Sequence, residues 1–432
     1  MGIAIPTGVF DILPNDQKET WRESHLWSYV EEIMRAHAGA YGCHEIRTPI
    51  FERTELFQRS VGDATDIVSK EMYTFQDRGQ RSMSLRPEGT ASVMRAYIEK
   101  NLHTAPSCQR LFYIGPMFRY ERPQAGRYRQ FHHFGVEVIG NPNPELDAEL
   151  MEMTYSLCER LGLQNLKLCI NSLGERCARQ RFRKALIDFL TPHFADLSAD
   201  SQARFSANPL RILDSKDPKD CEIVQKAPSI LEFLSPESKA QFEKIQQILT
   251  HLQIPYEVNS RLVRGLDYYN NAVFEVTSGR LGAQNSVAGG GRYDGLLKSL
   301  GGPDLPSSGY AIGIERLIQV LLQQSHFVPT MKRPLLYLIA LGDSAMLHAF
   351  SLTRTLRKEG ICCHLDLSGK KLKSAMQHAD NLKAQFVIVL GEDELKEGKI
   401  QLKEMATGKK IELSLESVPF FLKELPKGYQ IS

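Results

Sequence analysis

The order of strand-like and helix-like segments changes twice along the 432-residue chain, and this order restricts the folds that it can adopt. Four short runs have the apolar or alternating pattern of β-strands: 111–118, 131–139, 166–170 and 272–277. Between the third and the fourth run, charged helix-forming segments alternate with proline-containing polar breaks. We therefore predict one β-rich domain, residues 1–170 and 255–325, that is interrupted by a helical insertion, residues 171–254.

A second change of pattern follows the break at 325–333. Beyond it, apolar strands alternate with amphipathic helices in the order β-α-β-α-β, which predicts an α/β domain with a largely parallel sheet over residues 334–432. Its strand-end loops lack G-x-G-x-x-G, and the chain contains no G-x-x-x-x-G-K-[ST]. We therefore expect neither a dinucleotide site nor a P-loop.

The N-terminal segment predicts a helix over residues 16–38. Asp16 is a plausible N-cap, apolar residues recur at helical spacing, and Gly39 and Gly42 would end the helix.

Composition excludes several classes of protein. With a net charge of only +2, any nucleic-acid partner must meet local basic patches. No run approaches the roughly 18 apolar residues of a membrane span, and the N-terminus lacks a signal-peptide pattern. The eight cysteines never fall in C-x-x-C spacing, which argues against a zinc knuckle or a disulfide framework. We expect a cytoplasmic protein with reduced thiols and no membrane association.

Residues 261–269, RLVRGLDYY, combine two arginines, a glycine, an acid and two tyrosines. Arginine suits a phosphate, and paired tyrosines provide apolar walls with polar tips. Such a block can hold a polyanion on one side and a small polar ring on the other. Taken alone, it is also typical of an exposed edge strand.

A second block, residues 117–137, predicts a hairpin whose tip carries Arg122, Gln124, Arg127 and Arg129. So much positive charge is hard to explain by stability, because exposed ion pairs contribute little. It suits phosphate and nucleic acid, with Phe131 available for stacking on a base. A plain nucleic-acid-binding module would explain this hairpin.

Such a module would not explain the other blocks. Residues 41–50 read as a helix–strand junction, and 309–317 read as an apolar strand that enters a helix. Residues 288–295 contain three glycines, which allow a close backbone approach to a ligand, followed by Tyr293 at the wall of a site.

In this order, the blocks at 42–49, 119–137 and 309–316 resemble motifs 1, 2 and 3 of class II aminoacyl-tRNA synthetases. Residues 264–269 and 289–295 resemble the two signatures of the histidyl-tRNA synthetase family. The resemblance covers essentially the whole chain. It implies an α+β catalytic domain, an antiparallel sheet with flanking helices, together with a helical insertion and a C-terminal α/β anticodon-binding domain.

The resemblance also implies an activity. ATP and L-histidine would form histidyl-adenylate and pyrophosphate, and histidine would then pass to the 3′ end of tRNA(His). Mg²⁺ would arrive with ATP rather than occupy a dedicated protein site. A homodimer is implied, and we expect the partner subunit to cover the apolar face of the 16–38 helix.

The matching positions carry implied roles. Arg119 and Arg264 would be catalytic, on either side of the α-phosphate. The residues implied to bind ATP are Arg119, Glu121, Arg127, Phe131 and Arg316. The residues implied to bind histidine are Glu88, Thr90, His133, Glu137, Arg264, Tyr268, Tyr269 and Tyr293. The residues implied to meet the tRNA acceptor end are Gln124 and Arg129.

One position departs from the family pattern, because His133 stands where the family commonly has glutamine. A neutral imidazole can accept a hydrogen bond from the substrate ammonium, whereas a protonated one would repel it.

The main alternative is a non-catalytic relative. Related regulatory subunits of a phosphoribosyltransferase generally lack an intact RGLDYY block and the C-terminal domain, both of which this sequence has. A class I synthetase is disfavoured because neither H-I-G-H nor K-M-S-K-S occurs.

Overall fold

In the computed structural model, the described residues are 3–62, 65–105, 108–122, 126–279, 286–324, 329, 331 and 333–425. The chain forms two compact units, residues 1–329 and 330–432. Among the described residues, no helix is long and apolar enough to cross a membrane.

Unit 1 contains an eight-stranded sheet and a separate three-stranded sheet, whose strands fall between residues 51 and 85. Its described strands are β1 His44–Glu45, β2 Phe51–Arg53, β3 Thr74–Gln76, β4 Ser82–Leu85, β5 Gln109–Phe118, β6 Gln130–Ile139, β7 Leu166–Ser172, β8 Tyr256–Val258, β9 Asn270–Ser278, β10 Ser286–Arg292 and β11 Ser307–Gly313. The large sheet has the order β1-β5-β6-β11-β10-β9-β7-β8, and the small one the order β2-β4-β3. The six central strands of the large sheet are antiparallel, and only β1 and β8 pair parallel to their neighbours.

Strand register brings distant blocks of the sequence side by side. Gly309 lies opposite Glu137 of β6 on one side and opposite Gly291 of β10 on the other. Because alternate side chains point to the same face of a sheet, this pairing aligns the functional faces of three strands that are far apart in sequence.

Helices flank the large sheet. The described helices of unit 1 are α1 Ser24–Ala40, α2 Thr54–Val61, α3 Thr90–Glu99, α4 Pro144–Arg160, α5 Arg176–Leu190, α6 Ala199–Ala207, α7 Pro218–Val224, α8 Pro236–His251, α9 Leu296–Ser299 and α10 Ile314–Gln324. The main core lies between the sheet and the helices α1, α4, α8 and α10.

The first helix differs from its prediction at its start. Asp16 accepts hydrogen bonds from the backbone of Lys18 and Glu19, but α1 begins only at Ser24. The predicted C-terminal end is close, with Gly42 in the left-handed region at φ +70°. The apolar face of α1 is buried in the core of its own chain, so our expectation that a partner subunit must cover it is wrong.

Between β7 and β8, where every residue is described, the chain forms helices and no strand. These helices contribute to two cores. From α8, Phe242 and Leu249 join the main core, whereas Phe182 and Leu186 of α5 pack in a second core that also contains Tyr269. Part of the helical segment therefore lies directly behind the predicted histidine-binding residues.

Unit 2 has an α/β fold. Its described elements are β12 Leu336–Ala340, α11 Asp343–Lys358, β13 Cys363–Leu365, α12 Leu372–Asn381, β14 Phe386–Leu390, α13 Glu392–Glu397, β15 Lys399–Glu404, β16 Lys410–Ser414 and α14 Val418–Glu424. The sheet order is β13-β12-β14-β15-β16. The first three strands are parallel as predicted, and β15 and β16 extend the sheet antiparallel.

Candidate active site

A pocket of about 1030 Å³, including its open mouth, lies over β5, β6, β10 and β11. Twelve of the predicted site residues line it: Glu88, Thr90, Arg119, Glu121, Arg127, Phe131, His133, Arg264, Tyr268, Tyr269, Tyr293 and Arg316. These residues come from β6, α3, α10 and the loops that join the strands. The fold thus gathers five separate segments of the sequence into one cavity.

One end of the pocket is aromatic. The ring centroids of Tyr268 and Tyr269 are 4.7 Å apart, and the Tyr293 ring lies 5.4 Å from the former and 6.0 Å from the latter. Burial raises the pKa of all three hydroxyls, so they remain protonated hydrogen-bond donors. This end offers flat apolar walls with polar tips to a small ring.

Glu137 lies beneath the aromatic end and does not itself line the cavity. It accepts hydrogen bonds from Thr90 Oγ1, at 2.8 Å, and from the Tyr293 hydroxyl. Burial raises its pKa to about 8. A carboxyl group with this pKa is mostly protonated at neutral pH, and a cation bound nearby would favour its ionised form.

Glu88 is held rigidly at the start of α3. Its carboxylate oxygens accept from the backbone N–H groups of Thr90, at 2.7 Å, and Ala91, at 2.8 Å. Burial raises its pKa despite these bonds. The side chain is therefore fixed in place and would gain from a bound ammonium group.

His133 is neutral in this pocket. Burial, together with the nearby guanidinium groups of Arg119 and Arg316, lowers its pKa to about 3. Its Nδ1 is buried and has no hydrogen-bond partner among the described residues. The imidazole can therefore accept a hydrogen bond from a ligand and does not repel a cation.

Arg119 and Phe131 form one wall. Arg119 Nε donates to Pro87 O at 2.9 Å, and its Cζ lies 5.2 Å from the centre of the Phe131 ring. This backbone hydrogen bond fixes the guanidinium, and its other N–H groups can bind an anion.

Arg264 forms another wall. Its Nη1 donates to Glu275 at 3.3 Å, and its buried Nε has no partner among the described residues. The guanidinium lies against the backbone of Gly289, where a Cβ atom would stand 2.5 Å from Arg264 Cζ. Only glycine at 289 leaves room for this arginine.

Arg316 links the loop at Gly126 to the start of β10. Its Nε donates to Gly126 O at 2.9 Å and its Nη1 to Ser286 O at 3.1 Å. Nearby, Arg127 Nε lies 3.3 Å from Glu121 Oε2. This end of the pocket therefore carries fixed charges of both signs.

Of the two residues predicted to meet the tRNA acceptor end, the structure describes only Arg129, which is not among the residues that line the cavity. Gln124 falls outside the described residues. Arg129 places its Cζ 4.1 Å from the centre of the Tyr120 ring, and its Nη1 donates to Thr7 O at 3.4 Å.

The glycines at 289–291 require a correction. Gly289 does line the pocket, but a Cβ on Gly290 would stand 2.7 Å from Tyr310 Cα, and one on Gly291 would stand 2.9 Å from Val273 Cα. These two glycines permit close packing of β10 against its neighbouring strands rather than the approach of a ligand.

Sequence reasoning missed Tyr113 and Glu315, which also line the pocket. Tyr113 stands over glycines, since a Cβ on Gly89 would lie 2.5 Å from its hydroxyl and one on Gly135 would lie 2.7 Å from its Cε1 atom. Glu315 accepts from the backbone and from the ring of His132, at 2.9 Å each. The only signal for Glu315 was its position beside Arg316 in a block already singled out.

Among the described residues, no group of three or more His, Cys, Asp or Glu side chains could hold a metal ion.

Comparison with known proteins agrees with this geometry. A family model described as histidyl-tRNA synthetase matches residues 8–317, and one described as an anticodon-binding domain matches residues 336–425. The chain belongs to the histidyl-tRNA synthetase family. Its fold is accordingly α+β, with a synthetase catalytic domain followed by an anticodon-binding domain.

Full-length relatives and a solved structure point the same way. The histidine–tRNA ligase of Protochlamydia amoebophila is 57% identical over 423 residues, which are 98% of this chain and 100% of the relative. That of Bacillus subtilis is 48% identical over 431 residues, 99% of this chain and 100% of the relative. The crystal structure of apo S. aureus histidyl-tRNA synthetase has a TM-score of 0.81 at 39% identity, and covers 98% of this chain and 100% of that one.

Proposed function

We propose that this protein is a histidine–tRNA ligase, which activates L-histidine with ATP to histidyl-adenylate and pyrophosphate and then transfers histidine to the 3′ end of tRNA(His). The observation that carries this proposal is a single pocket with a tyrosine-lined end and two fixed arginines, Arg119 and Arg264. The matching relatives are histidine–tRNA ligases over their full length.

Adenylation needs charge stabilisation rather than a base. The histidine carboxylate is already deprotonated when it attacks the α-phosphorus of ATP. Negative charge grows on the phosphoryl oxygens, and the preorganised guanidiniums of Arg119 and Arg264 stabilise it. Phe131 and Arg316 hold the adenine between them, and Arg127 reaches toward the γ-phosphate.

Selection for histidine rests on the buried polar groups at the aromatic end. Glu88, Thr90 and the neutral His133 bind the substrate ammonium. Glu137 and Tyr269 bond the imidazole nitrogens, beside Tyr268 and Tyr293. An amino acid that left these groups without partners would be rejected by a large factor, because most of them are buried in the free protein: Glu88, Thr90, Glu137, Tyr269 and Tyr293.

Mg²⁺ fits this site as a companion of ATP. It usually binds through one or two carboxylates and the phosphates of the substrate, and Glu121 is the carboxylate that lines the pocket beside Arg119 and Arg127. The ion would neutralise phosphate charge, and Glu121 would orient it.

The tRNA is held at two places in this proposal. Gln124 and Arg129 meet the acceptor end beside the catalytic pocket, and residues 334–432 read the anticodon, in line with the family match over 336–425. The helical segment 171–254 acts as an insertion within the catalytic domain formed by 1–170 and 255–325.

We further propose a cytoplasmic homodimer. Phe51 is 53% exposed and Phe75 is 44% exposed, and their ring centroids lie 6.3 Å apart at the small sheet. An exposed apolar patch of this kind favours burial against a second copy. Sedimentation of a stable monomer at micromolar concentration would contradict this part of the proposal.

Two arginine variants separate the proposed steps. Arg119→Ala should nearly abolish histidine-dependent ATP–pyrophosphate exchange. Arg129→Ala should leave exchange close to that of the unmodified protein but reduce charging of tRNA(His). The enzymatic proposal fails if Arg119→Ala, shown to be folded, exchanges pyrophosphate at the unmodified rate. The acceptor-end role fails if Arg129→Ala charges tRNA normally.

A further inference from the structure

A second recess of about 910 Å³, including its mouth, lies beside the catalytic pocket. It is formed by one face of α5, the turn around 207–211 and the segment 263–269. Arg264, Leu266 and Tyr269 line both cavities. No role in histidine or ATP binding has been assigned to its remaining lining residues.

Arginines dominate this recess. Besides Arg264, its walls carry Arg176, Arg179, Arg183 and Arg211. The three from α5 are spaced by three and four residues, so they share one face of the helix.

Two of the recess guanidiniums from α5 are anchored by a backbone carbonyl. Arg179 Nη1 donates to Tyr269 O at 2.7 Å, and Arg183 Nη2 donates to Ser206 O at 2.8 Å. Burial lowers the pKa of Arg179, the carboxylate of Asp267 partly opposes this, and the like charge of Arg176 adds to the lowering. An anion between them would relieve this repulsion.

Carboxylates pair with only part of this charge. Arg211 Nη1 lies 3.3 Å from Asp214 Oδ2, and Arg264 Nη1 lies 3.3 Å from Glu275 Oε1. The three recess arginines of α5 form no ion pair with a described residue. Asp267 is the only carboxylate in the lining, and its Oδ1 already accepts from Asn208 Nδ2 at 2.8 Å. Leu173, Leu210 and Val263 complete the walls. Charges beside apolar walls act more strongly than they would in water.

We propose that this recess binds a compact oligophosphate, meaning two or more linked phosphate groups, supplied either as a free inorganic chain or as the phosphate chain of a nucleotide. Several guanidiniums that converge on one cavity suit the forked hydrogen bonding of phosphate oxygens. At about 910 Å³ with its mouth, the recess has the size of a small-ligand site. The proposal concerns binding alone and does not depend on the proposed enzymatic activity.

The test is calorimetric titration of the full-length protein with tripolyphosphate and, separately, with uridine triphosphate. The Arg176→Ala/Arg183→Ala variant should lose one binding site per chain, or bind at that site at least about tenfold more weakly. The matched control is Arg181→Ala/Lys184→Ala, which removes two positive charges from exposed positions of the same helix outside the recess. This control should keep the site. Tighter binding of uridine triphosphate than of tripolyphosphate would identify a nucleotide as the source of the phosphates, and equal binding would identify a free chain.

Because Arg183 also bonds the insertion backbone, Arg176→Ala alone is the second variant. Arg176 is exposed in the first turn of α5, so its loss should leave folding intact and still weaken binding about tenfold. Equal losses in the recess variants and in the control would show general electrostatic attraction and overturn the proposal. Unchanged binding of both phosphates by the folded recess variants would also overturn it. So would recess variants that bind tRNA more weakly but still bind tripolyphosphate normally.

Discussion

Replacing Gly289 with alanine should displace the Arg264 guanidinium from the catalytic pocket. The new Cβ would stand 2.5 Å from Arg264 Cζ, whereas ordinary contacts of this kind begin near 3.4 Å. The guanidinium must therefore move by roughly 1 Å, and a displacement of that size can cost about 100-fold in rate. Because Gly289 is not among the glycines with positive φ, alanine can adopt its backbone conformation, and the chain should still fold.

The assay is histidine-dependent ATP–pyrophosphate exchange, measured as kcat/KM together with a thermal unfolding midpoint. Gly279→Ala is the matched control, because a Cβ at that position would have no neighbour within 4 Å. The control should behave as the unmodified protein. Exchange by a folded Gly289→Ala protein within about threefold of the unmodified rate would refute the proposed role of the Arg264 position.

Three further predictions follow from the site. Arg264→Ala should lower the rate of histidine adenylation at least about 100-fold and change histidine affinity less, because the guanidinium acts mainly in the transition state. Near-normal pyrophosphate exchange by this variant would exclude Arg264 from the reaction. His133→Gln should leave the histidine KM nearly unchanged, whereas His133→Leu should raise it by removing a hydrogen-bond acceptor. Identical kinetics for both variants would place the side chain outside the substrate contacts. Because the pKa of His133 is about 3, neither substitution should alter the pH profile near neutrality. Since burial raises the pKa of Glu137 to about 8, the folded state disfavours its ionisation, so its contribution to stability is fully present below the unfolded pKa and is lost as the pH rises through about 8. The unfolding midpoint of the ligand-free protein should therefore fall relative to that of Glu137→Gln between about pH 5 and pH 8, and a constant difference would contradict this.

Local patterns in the sequence predicted the main elements well but could not place every boundary. The run predicted at 166–170 falls within the strand β7. The Asp16 signal was real but local, since its carboxylate accepts from the backbone of Lys18 and Glu19, and a 3-10 turn at Thr20–Arg22 separates this turn from α1. The strands β15 and β16 have alternating apolar residues, including Ile400 and Leu402, so the sequence pattern also predicts strands there.

The residues that line the catalytic pocket were accessible from motifs, but their surroundings were not. The position of Tyr113 over Gly89 and Gly135 depends on strand register and on the loop before α3, which no local pattern reports. The basic recess likewise arises only when α5 folds against the segment around Arg264. Burial, which makes His133 neutral and raises the pKa of Glu137, is a property of the assembled site.

The most direct test of the proposed function is ATP–pyrophosphate exchange measured with each of the twenty amino acids in turn. A pocket whose tyrosine-lined end overlies Glu137, with Arg119 and Arg264 beside the reacting phosphate, should support exchange with histidine alone. Exchange stimulated equally by another amino acid would contradict the proposed specificity. Exchange with none of the twenty, by a folded protein supplied with Mg²⁺, would contradict the enzymatic account itself.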